Sequence, residues 1–168
     1  MGYDHSCRII IKFIKNKKAV DSNIQKKQSD NLIFFGLILF LIGLFVGLFV
    51  HNMANPRMAL SAHLEGVMNG MFLILLGLIW KRLLLSKRQL TTTFWLVTYG
   101  TFANILAVIV AALTGFGKMM PIAGGQEGTK IIEAFISFLL ISLSLCMIIV
   151  CVLVIVGFFK SMKQHSKE

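Results

Sequence analysis

Residues 32–50 carry no charged side chain, and three further stretches, about 59–80, 94–113 and 131–159, are nearly as apolar. A helix rises 1.5 Å per residue, so about 20 such residues cross the roughly 30 Å hydrocarbon core of a bilayer. Runs of this length predict four membrane-spanning helices rather than core helices of a soluble domain. The expected fold is therefore all-α, an integral membrane four-helix bundle at residues 32–159. It is preceded by a basic arm at 1–31 and followed by a tail at 160–168. The fourth run exceeds what a bilayer needs, which predicts that it is tilted or projects beyond the membrane.

Composition agrees: 57% of residues are hydrophobic and 14% charged, against about 25% charged in soluble domains. The net charge of +10 would suit nucleic acid or anionic lipid, so its distribution decides. Seven Lys and Arg lie in the arm, four between the second and third spans, and three in the tail, against three in the other two loops. This asymmetry predicts both termini in the cytoplasm and removes the main support for a nucleic-acid partner; the bilayer is the expected one. Within the arm, Ile9, Ile10, Ile11, Phe13 and Ile14 sit among the lysines. A segment lying on the anionic leaflet and a solvated tail are both open readings. The arm has no uninterrupted apolar h-region, so no cleaved leader is expected. Cys7, Cys146 and Cys151 lack ligand spacing and read as free thiols. The glycine-rich stretch 114–129 contains no GxxxxGK[ST] and reads as a surface or re-entrant loop.

Against this background the polar residues inside the spans stand out, because a bilayer tolerates them only with a partner or a function. In the second span Ala59, His63, Gly66, Gly70 and Gly77 recur at helical spacing and share one face. Similar rows occur at Gly36, Gly43 and Gly47 and at Gly100, Asn104, Ala107 and Ala111. Small residues let another helix approach. Because His63 lies on the glycine face itself, that face could also admit a flat ligand whose metal the imidazole holds. Asn69 stands about 120° around the helix from His63, flanking that face as a hydrogen-bonding group. Glu65 points elsewhere and is expected at headgroup level. His51 reads as an interfacial residue, and His5 and His165 fall in the tails. Tyr99, Thr101 and Asn104 are polar members of the third span, and Asn104 needs a partner if deep. Glu133 suits the N-terminus of the fourth helix. No Ser-His-Asp set, carboxylate pair or HExxH sequence can be assembled.

The segment Ala62-His63, five residues, Asn69-Gly70-Met71 resembles the Ala-His, five residues, Asn-Gly-Met of the styrene oxide isomerase family, small four-span bacterial membrane proteins. Phe102-Ala103-Asn104-Ile105 is similar to that family's Trp-Ala-Asn-Val. The resemblance implies a multi-pass protein of the bacterial inner membrane and a homotrimer binding haem b at subunit interfaces. His63 would be its axial metal ligand, and Gly66 and Gly70 would leave room for the macrocycle. It further implies ring opening of a small hydrophobic epoxide by Lewis-acidic iron and a hydride shift to an aldehyde. Asn69, Asn104 and Tyr99 are then the candidate catalytic residues. The chain departs from the family at Gly100 and Val108, where the family has an active-site Asp and Tyr. Two other readings stay open on the residues alone: a non-catalytic haem protein, carrier or sensor, in which His51 could be a second ligand, and a cofactor-free structural or assembly protein.

Overall fold

A computed structural model describes the backbone of residues 3–166, with side chains described for 22–164 and Ser166. Among the described residues the chain is all-helical, with α1 (Tyr3–Leu48), α2 (Pro56–Ile79), α3 (Lys87–Thr114) and α4 (Lys130–His165). Short 3-10 turns at Val50–Asn52, Trp80–Arg82 and Pro121–Ala123 lie between them. All four helices carry segments long and apolar enough to cross a membrane: Ser22–Leu48, Pro56–Arg82, Lys87–Thr114 and Lys130–Gln164. The helix count and character match the hydropathy pattern.

The expected boundary at residue 31 is not a structural one. Helix α1 runs through it without a break, and polar residues upstream of it belong to the bundle. The last carbonyls of a helix lack intrahelical donors, and α1 supplies them for α2. Gln25 donates its Nε2–H to the carbonyls of Trp80 (2.8 Å) and Leu83 (3.2 Å). The Ser29 hydroxyl donates to Gly77 O at 2.8 Å, and the Trp80 indole N–H donates to Gln28 Oε1 at 3.2 Å. Gln28 and Ser29 are buried by these contacts. The surface-lying reading of the arm, with His5 and Cys7, concerns side chains outside the described residues, as does His165. Cys146 and Cys151 are free thiols.

Each later helix starts and stops for local reasons. Asn55 caps α2 by accepting from the N–H groups of Arg57 (3.1 Å) and Met58 (3.2 Å), with Pro56 in the first turn. Ser86 and Gln89 form a capping box at the start of α3. Helix α3 ends at Gly115, whose φ of 75° is left-handed, a conformation glycine adopts without steric cost. The glycine-rich loop folds back on itself through Gly117 N–H to Gln126 O and Gln126 N–H to Gly115 O. Glu133, in the first turn of α4, holds it there. Its carboxylate accepts from the N–H groups of Gly117, Lys118 and Gly128 at 3.1 to 3.3 Å. The stretch expected to be irregular is thus a surface loop tied to the helix that follows it.

Packing is uneven. α1 lies chiefly on α2 and α4 on α3, while α2 and α3 join the two pairs. Facing glycines bring α1 and α2 into backbone contact: a methyl built on Gly66 would lie 2.5 Å from Gly43 Cα, and one on Gly70 2.7 Å from Phe40 N. Without water to squeeze out between spans, such close approach is what holds them. The core beneath includes Leu32, Leu39, Leu73, Trp80, Val97 and Val150, with Phe35 and Phe102 edge to face at 6.3 Å.

Asn55 offers a test of how the loops are tied together. Besides its capping role it donates through Nδ2 to Ala123 O and Gly124 O, each at 3.1 Å, and its own N–H donates to Ala112 O. Asn55→Ala removes the cap and two loop contacts, and is expected to cost about 2 kcal/mol, the upper end for a lost cap. A thermal melt in detergent showing no shift would contradict this.

Candidate functional site

Two arrangements in the middle of the chain bring chemistry-bearing side chains to defined positions, and both are built on α2. The first is His63. Its Nδ1 lies 2.8 Å from Gly43 O of α1, and a carbonyl can only accept, so Nδ1 carries the proton. In the neutral ring, Nε2 then has a free lone pair. The ring fits because position 47 is glycine: a methyl there would sit 2.7 Å from Nδ1. An imidazole held through one nitrogen by a backbone carbonyl, with the other free, is the arrangement found behind metal-bound histidines. Among the described residues no three His, Cys, Asp or Glu side chains cluster as ligands for a bare ion. His63 suits a centre that brings its own remaining donors.

The second arrangement joins α2 to α3. Asn104 donates its Nδ2–H to Glu65 Oε2 at 2.5 Å, and Asn69 donates to the same oxygen at 3.4 Å. A carboxylate only accepts, so the amide nitrogens are the atoms that face it. Glu65 and Asn69 are four residues apart and therefore stacked on one face of α2. Glu65 points away from His63, as expected, but it does not stand alone at the surface. It is the hub of an inter-helix cluster, and its partner within α2 is the asparagine expected beside His63. The spacing Glu65 to Asn69, read together with the need of Asn104 for a partner, carried this signal.

The expected pocket is thus divided. Two positions on a helix lie about 160° apart, so His63 faces α1 while Glu65 faces α3. Nor do Gly66 and Gly70 leave a flat space within the chain. Methyls built on them would meet Gly43, Phe40 N, Gly36 O and the Ile105 side chain at 2.5 to 2.8 Å. That space is filled by helix packing.

Tyr99 is also apart from the cluster. Its hydroxyl pairs with Ser142 Oγ of α4 at 2.7 Å, and it lines an apolar cavity of about 620 Å³ with Ile42, Trp95, Phe102, Leu106 and Leu139. The cavity has room for a small aromatic molecule but lies on the face of α3 opposite Asn104. Thr101 is buried and bonds back to Val97 O at 2.9 Å. At the two departures from the family pattern, Gly100 packs against Met147 and Val108 is buried near Val46 and Ala62. His51 is exposed in the turn between α1 and α2.

Comparison with known proteins bears on this arrangement. The family model described as styrene oxide isomerase matches residues 28–159, a range that opens on the buried Gln28 and contains every residue named in the two arrangements. The chain is 51% identical over 128 residues to hydroxylaminobenzene mutase HabB of Ectopseudomonas oleovorans, covering 75% of this chain and 78% of that protein. It is 44% identical over 127 residues to hydroxylaminobenzene mutase HabA of the same organism, covering 74% and 94%. No solved structure matches the chain. With the family model spanning all four membrane helices and two relatives aligned over three quarters of its length, the chain belongs to the styrene oxide isomerase family.

Proposed function

We propose that the protein is a membrane-embedded isomerase of small aromatic hydroxylamines, moving the hydroxyl group from nitrogen to a ring carbon to give an aminophenol. The observation that carries this reading is the 51% identity to a hydroxylaminobenzene mutase over three quarters of the chain. The reaction balances without oxidant or reductant. The N–O bond breaks with its electron pair on oxygen, which takes a proton and leaves as water. Water adds to a ring carbon of the resulting cation and releases a proton, and the ring hydrogen moves as a proton to nitrogen.

The chain's own residues supply three things to such a reaction. The apolar spans admit the aromatic ring. Glu65, positioned by Asn104 and Asn69, places an acceptor where positive charge develops, and fixed dipoles at that point lower the barrier most. His63 would hold haem b through the nitrogen left free by the bond to Gly43 O. Bound haem iron would supply a Lewis acid for the departing oxygen. Because His63 and Glu65 lie on opposite flanks of α2, one copy cannot turn both toward one substrate. A homo-oligomer can, with the His63 flank of one copy against the Glu65 flank of the next. The family resemblance supports a trimer as that oligomer. The distribution of basic residues supports a topology with both termini in the cytoplasm, and the bacterial relatives support a bacterial inner membrane as its setting.

Epoxide-to-aldehyde isomerisation is the second reading, favoured by the description of the matching family model. It asks the site for the same service, stabilising a cation next to a leaving oxygen. One assay separates the two. Membranes from cells expressing the protein with haem supplied are given hydroxylaminobenzene or styrene oxide, and aminophenol and phenylacetaldehyde are quantified. Aminophenol above the background of cells lacking the protein is expected. Phenylacetaldehyde alone would replace the first reading with the second, and neither product would sink both.

A further inference from the structure

We propose that Glu65 is the specificity-determining residue of this site, selecting substrates that present N–H or O–H donors and disfavouring epoxides, which present only an acceptor oxygen. The inference rests on the isomerase reading above and goes further by assigning the choice of substrate class to one side chain.

Three observations lead to it. Glu65 Oε2 already receives both amide donors, Asn104 Nδ2 and Asn69 Nδ2. Oε1 accepts a hydrogen bond from no described residue, yet no buried side-chain oxygen or nitrogen among the described residues lacks a partner. Oε1 therefore reaches the accessible surface of the helix cluster. Finally, no described Lys, Arg or His forms an ion pair with Glu65, the ion pair among these residues being Lys118 with Glu127. The carboxylate is thus pinned by one oxygen and presents the other. Each asparagine gives one N–H to Glu65 and keeps a second, and their Oδ1 atoms accept from no described residue. The polar face offered to a ligand thus carries acceptor oxygens as well as amide donors, and its charged acceptor is Glu65 Oε1.

An aromatic hydroxylamine answers that face with two donors, whereas an epoxide oxygen would meet carboxylate lone pairs with its own. The match improves during reaction. As the N–O bond breaks, positive charge builds beside the N–H, so a hydrogen bond from it to Glu65 Oε1 strengthens toward the transition state and raises the rate of the chemical step. Epoxide opening gains no such bond, since the carbon cation it forms carries no N–H or O–H.

Glu65→Gln tests the idea through polarity. The amide oxygen must take the place of Oε2, facing the two asparagine N–H groups. The new NH₂ is then turned outward, a donor where an acceptor stood. With hydroxylaminobenzene, kcat/KM is expected to fall about 10- to 100-fold, the worth of a hydrogen bond to a carboxylate. Aniline, a donor-bearing competitor, should inhibit the wild type more strongly than anisole, an acceptor-only one, and Glu65→Gln should reverse that order. Glu65→Asp, which keeps the carboxylate, should recover part of the activity. Wild-type inhibition by anisole equal to or stronger than that by aniline would overturn the proposal without any variant. So would a Glu65→Gln enzyme with unchanged kcat/KM and unchanged inhibitor order. A wild type inactive on hydroxylaminobenzene removes the isomerase reading and this inference with it. An active wild type with an insensitive Glu65→Gln removes this inference alone.

Discussion

His63→Ala is expected to lose haem and isomerase activity together. Nδ1 is committed to Gly43 O at 2.8 Å and Gly47 leaves the ring its place, so the imidazole is held in one orientation. Removing residues that merely orient a ligand histidine costs about 10- to 100-fold in metal affinity or activity. Removing the ligand itself should exceed that. The measurement is a pyridine haemochrome assay on protein purified after expression with haem supplied, run beside the aminophenol assay. Haem absent from the parent protein, or present equally in parent and His63→Ala, would remove the cofactor from the mechanism. Haem lost while turnover survives would show that His63 serves an accessory role.

The second large effect concerns how the site is held. Gly66→Ala adds one methyl, and that methyl would sit 2.5 Å from Gly43 Cα and 2.7 Å from Ile105 Cδ1. The obstacle is backbone, which cannot rotate away, so α1 and α2 must separate. Overpacking of a tight interface costs about 1–3 kcal/mol and sometimes more, and this contact belongs at the upper end. Because Gly43 O is also the acceptor for His63, the same shift displaces the imidazole. A lowered melting temperature and weakened haem retention are expected together. Gly100→Ala is the control: its methyl would meet Met147 Sδ at 2.9 Å, the far part of a flexible side chain that can turn aside. Equal destabilisation by the two substitutions would show that the α1–α2 contact is looser than its geometry.

The fold was legible in the sequence because a bilayer leaves few alternatives: long uncharged runs must be helices, and four of them are present. What hydropathy could not locate was the start of the bundle. Gln25, Gln28 and Ser29 look like part of a polar arm, and only the carbonyls at the end of α2 reveal their purpose. Part of the candidate site was legible in the sequence, and its grouping was not. His63, Asn69 and Asn104 stood out as polar residues in apolar spans. Periodicity along one helix says which residues share a face, not which neighbouring helix that face meets. The glycine row that seemed to make room for a flat ligand makes room for α1, and the carboxylate assigned to the membrane surface is the group that two amides converge on. Tyr99 was drawn toward the site by adjacency to a motif position, while helical rotation carries it to α4.

The uneven packing of the four helices also sets an order of events during synthesis. The chain emerges from its N-terminus, so α1 and α2 can pair through their facing glycines before α3 has been made. At that stage Glu65 has Asn69 as companion at 3.4 Å, and its 2.5 Å partner, Asn104, is still to come. The newborn hairpin therefore carries an incompletely satisfied carboxylate, and the arrival of α3 relieves it. Delivering Asn104 does more than complete a cluster. It gives the third helix a reason to dock on the second, in an environment where apolar side chains are as content with lipid as with each other.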